Sequence, residues 1–304
     1  MAAAFIILRQ IAVMAMLITI GILLSRMGYL SEQGAKEIGA ILIRVVIPVV
    51  IIKSFITEYS RERAMQLALS FLLALTGYVL SMLVSWFAFG KDKKIENCAS
   101  ALCNSGFIGI PLAQAFVGDE GVFLVASSVA LSNLFQWTYG VFVMTGRREA
   151  ISAKSLVKNP VLTPLLLGIL LFFTQLPVPE ILVTTMGYVA GMNTSMAMLL
   201  LGTYLARLPL KQILLDRRAY RCVAFRLLVI PAVTLLVFAL LPVPDKTVAM
   251  TIFLAAITPV AANVCVFAQQ NNCDYELSVI TVCLSTLLSV VTIPLFVSLG
   301  QAFI

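Results

Sequence analysis

The sequence predicts an all-α integral membrane protein, and three observations lead to this prediction. Of the 304 residues, 61% are hydrophobic and 12% are charged, whereas soluble globular chains have about 45–50% apolar and about 25% charged residues. The apolar residues come in long runs, and a helix needs about 20 such residues to cross a hydrocarbon core. The runs do not alternate apolar with polar residues, as transmembrane β-strands would.

Ten apolar runs follow one another with short connections between them. They lie at about 5–26, 37–56, 65–89, 96–117, 121–145, 160–176, 181–206, 219–241, 246–269 and 275–301. The first run has no basic segment before it, so we interpret it as a retained helix rather than a cleaved signal peptide. The connections leave no room for an attached soluble domain. We therefore expect ten transmembrane helices and contact with the lipid bilayer.

The basic residues predict how the chain is oriented, because short cytoplasmic loops carry an excess of lysine and arginine. Most of them fall in the odd-numbered loops, at 91–94, 147–158 and 207–221 among others. This pattern predicts a multi-pass protein of the cell membrane with both termini outside and the central loop inside. The same pattern explains the net charge of +7. No nucleic-acid partner is expected, because the basic residues form no single stripe.

The central basic loop divides the chain into two parts of five predicted helices each. The first part is 1–145, the linker is 146–159 and the second part is 160–304. An odd number of crossings in each part gives the two parts opposite orientations in the membrane. Inverted repeats of this kind are typical of secondary transporters.

The fourth and ninth runs are interrupted at corresponding positions. The residues concerned are Asn104, Ser105, Gly109 and Pro111 in one run and Pro259, Val260 and Asn263 in the other. Proline and glycine release backbone groups from helical hydrogen bonds, and at membrane depth such groups are packed in protein or line a wet cavity. Ordinary kinks are the alternative, since other runs also contain prolines. The paired occurrence, each with an asparagine that needs a partner, favours one central binding site.

The charged residues narrow the possible chemistry. The acidic residues all lie in loops or near the ends of the runs, whereas cation exchangers commonly place carboxylates inside the membrane. Arg44 and Arg226 lie inside runs, and two interpretations stay open for them. Their guanidinium groups either reach back to the interface or form an electropositive inner approach that attracts anions.

Other classes of protein are less consistent with the sequence. The chain contains no histidine, no HExxH and no G-x-S-x-G segment, so the usual hydrolase and metal sites cannot be assembled. We expect no enzymatic activity, no metal and no cofactor. A cation- or proton-coupled exchanger, or a channel of the same architecture, stays an alternative to an anion carrier.

The segment Asn104-Ser105-Gly106-Phe107-Ile108-Gly109-Ile110-Pro111-Leu112 resembles the N-x-x-x-x-G-I-P-L signature of the auxin efflux carrier family. The stretches 259–268 and 284–295 are similar to further segments of that family. The resemblance implies that the broken fourth and ninth helices cross near the membrane midplane. It also implies that Asn104 and the stretch 259–263 line the site for a carboxylate.

The resemblance carries further expectations. Helices one, two, six and seven would form a scaffold that dimerises, while the others form a transport domain with an elevator-type motion. The short central linker is similar to that of bacterial members, which include malonate and malate permeases. The implied substrates are therefore small organic anions such as malonate, malate or auxin-like acids. The motif does not indicate the direction or the coupling of transport.

Overall fold

The computed structural model describes residues 2–146, 161–207 and 216–304, so most of the predicted linker 146–159 lies outside the described residues. The helices in chain order are α1 (Ala2–Arg26), α2 (Glu32–Phe55), α3 (Arg61–Phe89), α4 (Lys94–Ala101), α5 (Ser105–Val117), α6 (Asp119–Thr145), α7 (Leu162–Thr174), α8 (Glu180–Arg207), α9 (Arg217–Leu240), α10 (Lys246–Ala256), α11 (Asn263–Gln270) and α12 (Tyr275–Phe303).

The predicted all-helical membrane class is confirmed in these ranges. Seven helices are long and apolar enough to cross a membrane, namely α1, α2, α3, α6, α8, α9 and α12. The remaining three predicted runs are not single long helices. The fourth is divided into α4 and α5, the ninth is divided into α10 and α11, and the sixth contains α7, which has 13 residues. A helix of that length extends only about 20 Å.

Polar side chains at the membrane boundaries define where several helices begin. A side-chain oxygen of the preceding residue accepts a hydrogen bond from a backbone N–H two or three positions later; the residues are Ser31, Ser60, Asp216, Asp245 and Asp274. Each bond satisfies a donor that the first helical turn leaves without a partner. These helix starts are therefore encoded locally.

Among the described residues, four helices contain a π-helical turn of five residues. The turns are Leu42–Val46 in α2, Ser105–Gly109 in α5, Gln136–Gly140 in α6 and Phe225–Val229 in α9. Three of them are followed within two residues by a proline, Pro48, Pro111 or Pro231. Because proline lacks an N–H and crowds the preceding turn, it displaces the regular hydrogen-bond ladder. Such turns are frequent at functional sites.

Helices α1 and α8 touch through their backbones. A Cβ atom added to Gly202 would lie 2.3 Å from the carbonyl oxygen of Ile18, and one added to Gly21 would lie 2.4 Å from that of Leu199. Small residues at such contacts allow membrane helices to approach closely and gain dispersion energy. The contact holds α1 and α8 together as one unit.

We predict that Gly202→Ala lowers the stability of the protein by about 1–3 kcal/mol, because the added methyl group forces the two backbones apart. Gly191→Ala in the same helix is the matched control, since nothing lies within 4 Å of its added Cβ. Thermal unfolding of the purified proteins in detergent measures both effects. Equal melting temperatures for the two variants would contradict the close backbone contact.

Candidate binding site between two broken helices

The break between α4 and α5 lies against the break between α10 and α11. The two stretches run antiparallel, with Cys103 opposite Val260. The backbone N–H of Asn104 donates to the carbonyl of Pro259 at 2.8 Å, and that of Ala261 donates to the carbonyl of Leu102 at 3.0 Å. Each break thus provides hydrogen-bond partners for some backbone groups of the other, as is required at a site away from water. We call this meeting point the crossing.

Asn104 is the residue at the crossing whose side chain is left with a free donor. Its side chain is buried, with 6% of the residue exposed. The Oδ1 atom accepts a hydrogen bond from the backbone N–H of Phe107 at 3.2 Å and so caps α5. The Nδ2 group has no partner in the described structure. A buried donor left unpaired costs about 1–3 kcal/mol, so this amide is poised to bind an acceptor.

Asn104 lines a cavity of about 40 Å³, which we call the crossing cavity. Its polar lining is formed by Asn104, Ser132, Asn133, Gln136 and Asn263, and its apolar lining includes Ile43, Ile47, Phe107 and Val129. The volume accommodates roughly one to three water molecules, less than a small dicarboxylate needs. The cavity is therefore too small for such a substrate in this conformation.

A chain of neutral hydrogen bonds orders the polar wall of the crossing cavity. Asn263 Nδ2 donates to Gln136 Oε1 at 2.8 Å, and Gln136 Nε2 donates to Ser132 Oγ at 2.8 Å. Ser132 Oγ then donates to the carbonyl of Cys103 at 3.3 Å. Neither Ser132 nor Gln136 is among the residues predicted from the sequence. The available signal was a polar pair one turn apart in an apolar run, but nothing local shows that the pair faces the break.

The crossing cavity contains no charged group among its described lining residues. All its polar side chains are amides or hydroxyls, which can donate to an anion without the cost of separating an ion pair. A carboxylate on the wall would repel an anion bound in the cavity. The lining therefore suits a negatively charged or neutral ligand better than a cation.

The other predicted residues of the ninth run support the break rather than line the cavity. Pro259 supplies the carbonyl that Asn104 binds. Val260 is fully buried, and its backbone N–H donates to Ser285 Oγ of α12 at 3.1 Å. Ala261, Ala262 and Asn263 of the stretch 259–263 line the cavity, and Asn263 supplies the polar side chain.

The remaining predicted residues of the fourth run also lie outside the cavity lining. Ser105 faces the opposite side of the crossing, where the Tyr78 hydroxyl donates to its Oγ at 3.3 Å. Gly109 and Pro111 are buried in α5. A Cβ on Gly109 would lie 3.7 Å from the Ala255 Cα of α10, which is an ordinary van der Waals contact, so the packing of the two broken helices does not require a glycine there. The structure brings Asn104 and Asn263 together at the cavity and places the others behind it.

The two arginines inside predicted runs lie in different surroundings. Arg44 is exposed, in the π-helical turn of α2. Arg226 is only 1% exposed, and its guanidinium donates to Ser81 Oγ and to the carbonyls of Ser100 and Ala256. Arg226 thus neither reaches the interface nor lines an open approach. The expectation from the sequence treated both arginines alike, because depth in a run does not show which way a side chain points.

A second, larger cavity of about 330 Å³ lies between the ends of α2 and α8 and the adjacent parts of α5 and α6. Its lining includes two basic residues, two acidic residues and a buried amide: Lys53, Arg63, Asp119, Glu120 and Asn193. Asn193 is 2% exposed, and neither polar atom of its side chain has a partner in the described structure. We call this space the vestibule.

Buried apolar side chains separate the vestibule from the crossing cavity. Ile47 and Phe107 line the crossing cavity, whereas Val50 and Ile110 line the vestibule. Ile47 and Val50 lie about one helical turn apart on α2, and Phe107 and Ile110 lie about one helical turn apart on α5. The two spaces are therefore neighbours along α2 and α5.

Comparison with known proteins places this chain in a family. The chain is 25% identical to an uncharacterized transporter of Methanothermobacter thermautotrophicus over 92% of this chain and 94% of the relative. It is 26% identical to a Rhizobium meliloti protein named "Putative malonate transporter" over 72% of each chain. A family described as membrane transport protein matches residues 6–155 and 150–297. The resemblance found in the Asn104–Leu112 segment is confirmed: the chain is a multi-pass membrane protein and belongs to the membrane transport protein family, whose members are transporters rather than enzymes.

Proposed function

We propose that the chain is a secondary transporter of small organic anions and that the crossing cavity binds the substrate carboxylate. The observation that carries the proposal is the unpaired Nδ2 group of Asn104, buried where two broken helices meet. A hydrogen bond to a charged group contributes about 1.5–3 kcal/mol. A carboxylate oxygen would satisfy this donor and meet a wall of neutral hydrogen-bonding groups.

The proposed architecture has ten crossings in two inverted repeats, 1–145 and 160–304. Seven long helices are supplemented by α7 and by the composite segments α4–α5 and α10–α11. The segment α4–α5 is the fourth crossing of the first repeat. The segment α10–α11 is the ninth crossing overall and has the corresponding place in the second repeat, which supports the inverted relation. The basic loops support a cell-membrane orientation with both termini outside and the linker in the cytoplasm.

The site and one relative support the proposed substrate class. The name of the Rhizobium meliloti relative refers to malonate, which supports a dicarboxylate for this chain. Malate and auxin-like acids carry the same carboxylate group, and the neutral amide wall would accept each of them. Arg44, exposed on α2, would draw such anions toward the protein.

The proposed mechanism is alternating access with an elevator-type motion. Helices α1, α2, α7 and α8 form the scaffold, in which α1 and α8 are in close contact. Dimerisation of two copies of this chain would hold the scaffold in place. The crossing and the helices around it form the moving part. Its displacement past α2 would open the crossing cavity to the vestibule on one side and close it again. Because the cavity is narrow and partly lined by the apolar side chains of Ile47 and Phe107, a carrier is favoured over an open channel.

Reconstitution in liposomes tests the proposal. We expect counterflow of labelled malonate, malate or indole-3-acetate, and none of an amino acid or sodium. Transport of a net negative charge responds to membrane potential by about 2.3 kcal/mol per elementary charge for each 100 mV. An inside-positive potential should therefore increase accumulation of the anion. Exchange of sodium or protons without any organic anion would favour the cation-exchanger alternative, and single-channel currents would favour a channel.

A further inference from the structure

Arg226 holds a positive charge inside the protein without an acidic partner among the described residues. Its NH1 group donates to Ser81 Oγ at 3.2 Å and to the carbonyl of Ser100 at 3.2 Å, and its NH2 group donates to the carbonyl of Ala256. All three acceptors are neutral oxygens. The Nε atom has no partner among the described residues. A buried charge is costly unless it is compensated, so the compensation within the described protein comes from these three acceptors.

Two of the three acceptors are at the ends of the half-helices that enter the crossing. Ser100 is next to the last residue of α4, and Ala256 is the last residue of α10. The last four carbonyls of a helix have no partner within the helix. Each helix end carries the equivalent of about half a negative charge. One guanidinium therefore matches the combined charge of the two ends.

Arg226 and Asn104 lie on opposite sides of the same backbone. Arg226 borders a space of about 10 Å³ together with Tyr78, Ser81 and Cys103. Cys103 also lines the crossing cavity. Ser81 Oγ donates to the carbonyl of Ala101 at 2.8 Å, so the residues that hold Arg226 also hold the end of α4. A substitution at Arg226 would therefore affect the end of α4 at Ala101, which is three residues before Asn104.

We propose that Arg226 is a built-in cation of the crossing, which takes the position that a bound small cation would otherwise need to fill. It is a positioning residue, because it acts on the substrate site through the ends of α4 and α10. This inference rests on the proposed function and concerns the coupling of anion transport to small cations. Transport by this chain requires no sodium or other small cation at the crossing.

Chemical rescue tests the proposal. Arg226→Ala removes the guanidinium and leaves a space bordered by Ser81 Oγ and the two carbonyls. We expect at least a roughly tenfold loss of anion counterflow and a melting temperature lower by about 5 °C or more. Low millimolar guanidinium chloride should restore part of both quantities. Arg226→Lys, which keeps the charge but not the forked donor geometry, should retain intermediate values.

The controls separate this proposal from the proposed function. Wild-type protein and Arg61→Ala, which removes an exposed arginine at the start of α3, should show no gain from guanidinium. Wild-type counterflow should be equal in sodium and in choline buffers. Sodium dependence of the wild type, or an Arg226→Ala variant that keeps full stability and transport, would overturn the inference. The melting temperature can be measured without a substrate. If guanidinium restored the stability of Arg226→Ala but the wild type transported no organic anion, the proposed function alone would be overturned.

Discussion

Replacing Asn104 with alanine is expected to weaken binding of the transported carboxylate by about 10- to 150-fold. The expectation follows from the loss of one hydrogen bond to a charged group, about 1.5–3 kcal/mol. The Nδ2 group has no partner to lose within the described protein, but alanine also removes the Oδ1 cap of α5. A lost cap costs about 1 kcal/mol of stability, so the melting temperature of the variant is measured beside its affinity. The affinity can be measured by scintillation proximity with labelled malonate and compared with initial rates of counterflow at subsaturating substrate.

Asn271→Ala is the matched control for this experiment. Asn271 is also partly buried and its Nδ2 donates to the carbonyl of Phe267 at 2.9 Å, but it lies at the end of α11 and outside the lining of the crossing cavity. We expect this variant to bind malonate as the wild type does. Equal affinities for the wild type and Asn104→Ala would remove Asn104 from the site.

Replacing Gln136 with glutamate is expected to have an even larger effect. The substitution keeps the size of the side chain but places a carboxylate on the wall of the crossing cavity. Two like charges about 4–5 Å apart at an effective dielectric constant of about 20 repel by about 3–4 kcal/mol, which corresponds to a loss of several hundredfold in affinity for an anion. Counterflow of malonate at about pH 8 measures the loss.

Gln136→Met separates the effect of charge from that of the hydrogen bonds. Methionine has a similar volume, but it accepts no proper hydrogen bond from Asn263 and donates none to Ser132. We expect Gln136→Met to lose much less affinity than Gln136→Glu, since only the network seen in the structure is broken. If Gln136→Glu instead bound malonate as well as Gln136→Met does, or acquired faster cation transport than the wild type had for anions, the anion site would be misplaced.

These experiments address a site that local sequence features predict only in part. Asn104 and Asn263 could be predicted because proline, glycine and asparagine inside an apolar run disturb a helix by covalent geometry alone. Gln136 could not, because its role depends on a hydrogen bond to Asn263, 127 positions away in the chain. The side chain of a polar residue in a long helix faces lipid, protein or a cavity according to packing, and packing is not written in a single run.

The sequence by itself determined the membrane class, the approximate helix intervals and the position of both breaks, because hydropathy, capping residues and helix-breaking residues act over a few neighbours. Only the tertiary structure decided that the breaks pair through Asn104 and Pro259, that Gly202 brings α8 against α1, and that Arg226 is buried between two helix ends. Each of these is a contact between distant parts of the chain. In lipid, where apolar burial does not distinguish one helix face from another, such contacts depend on close backbone approach and on hydrogen bonds that must find partners within the protein.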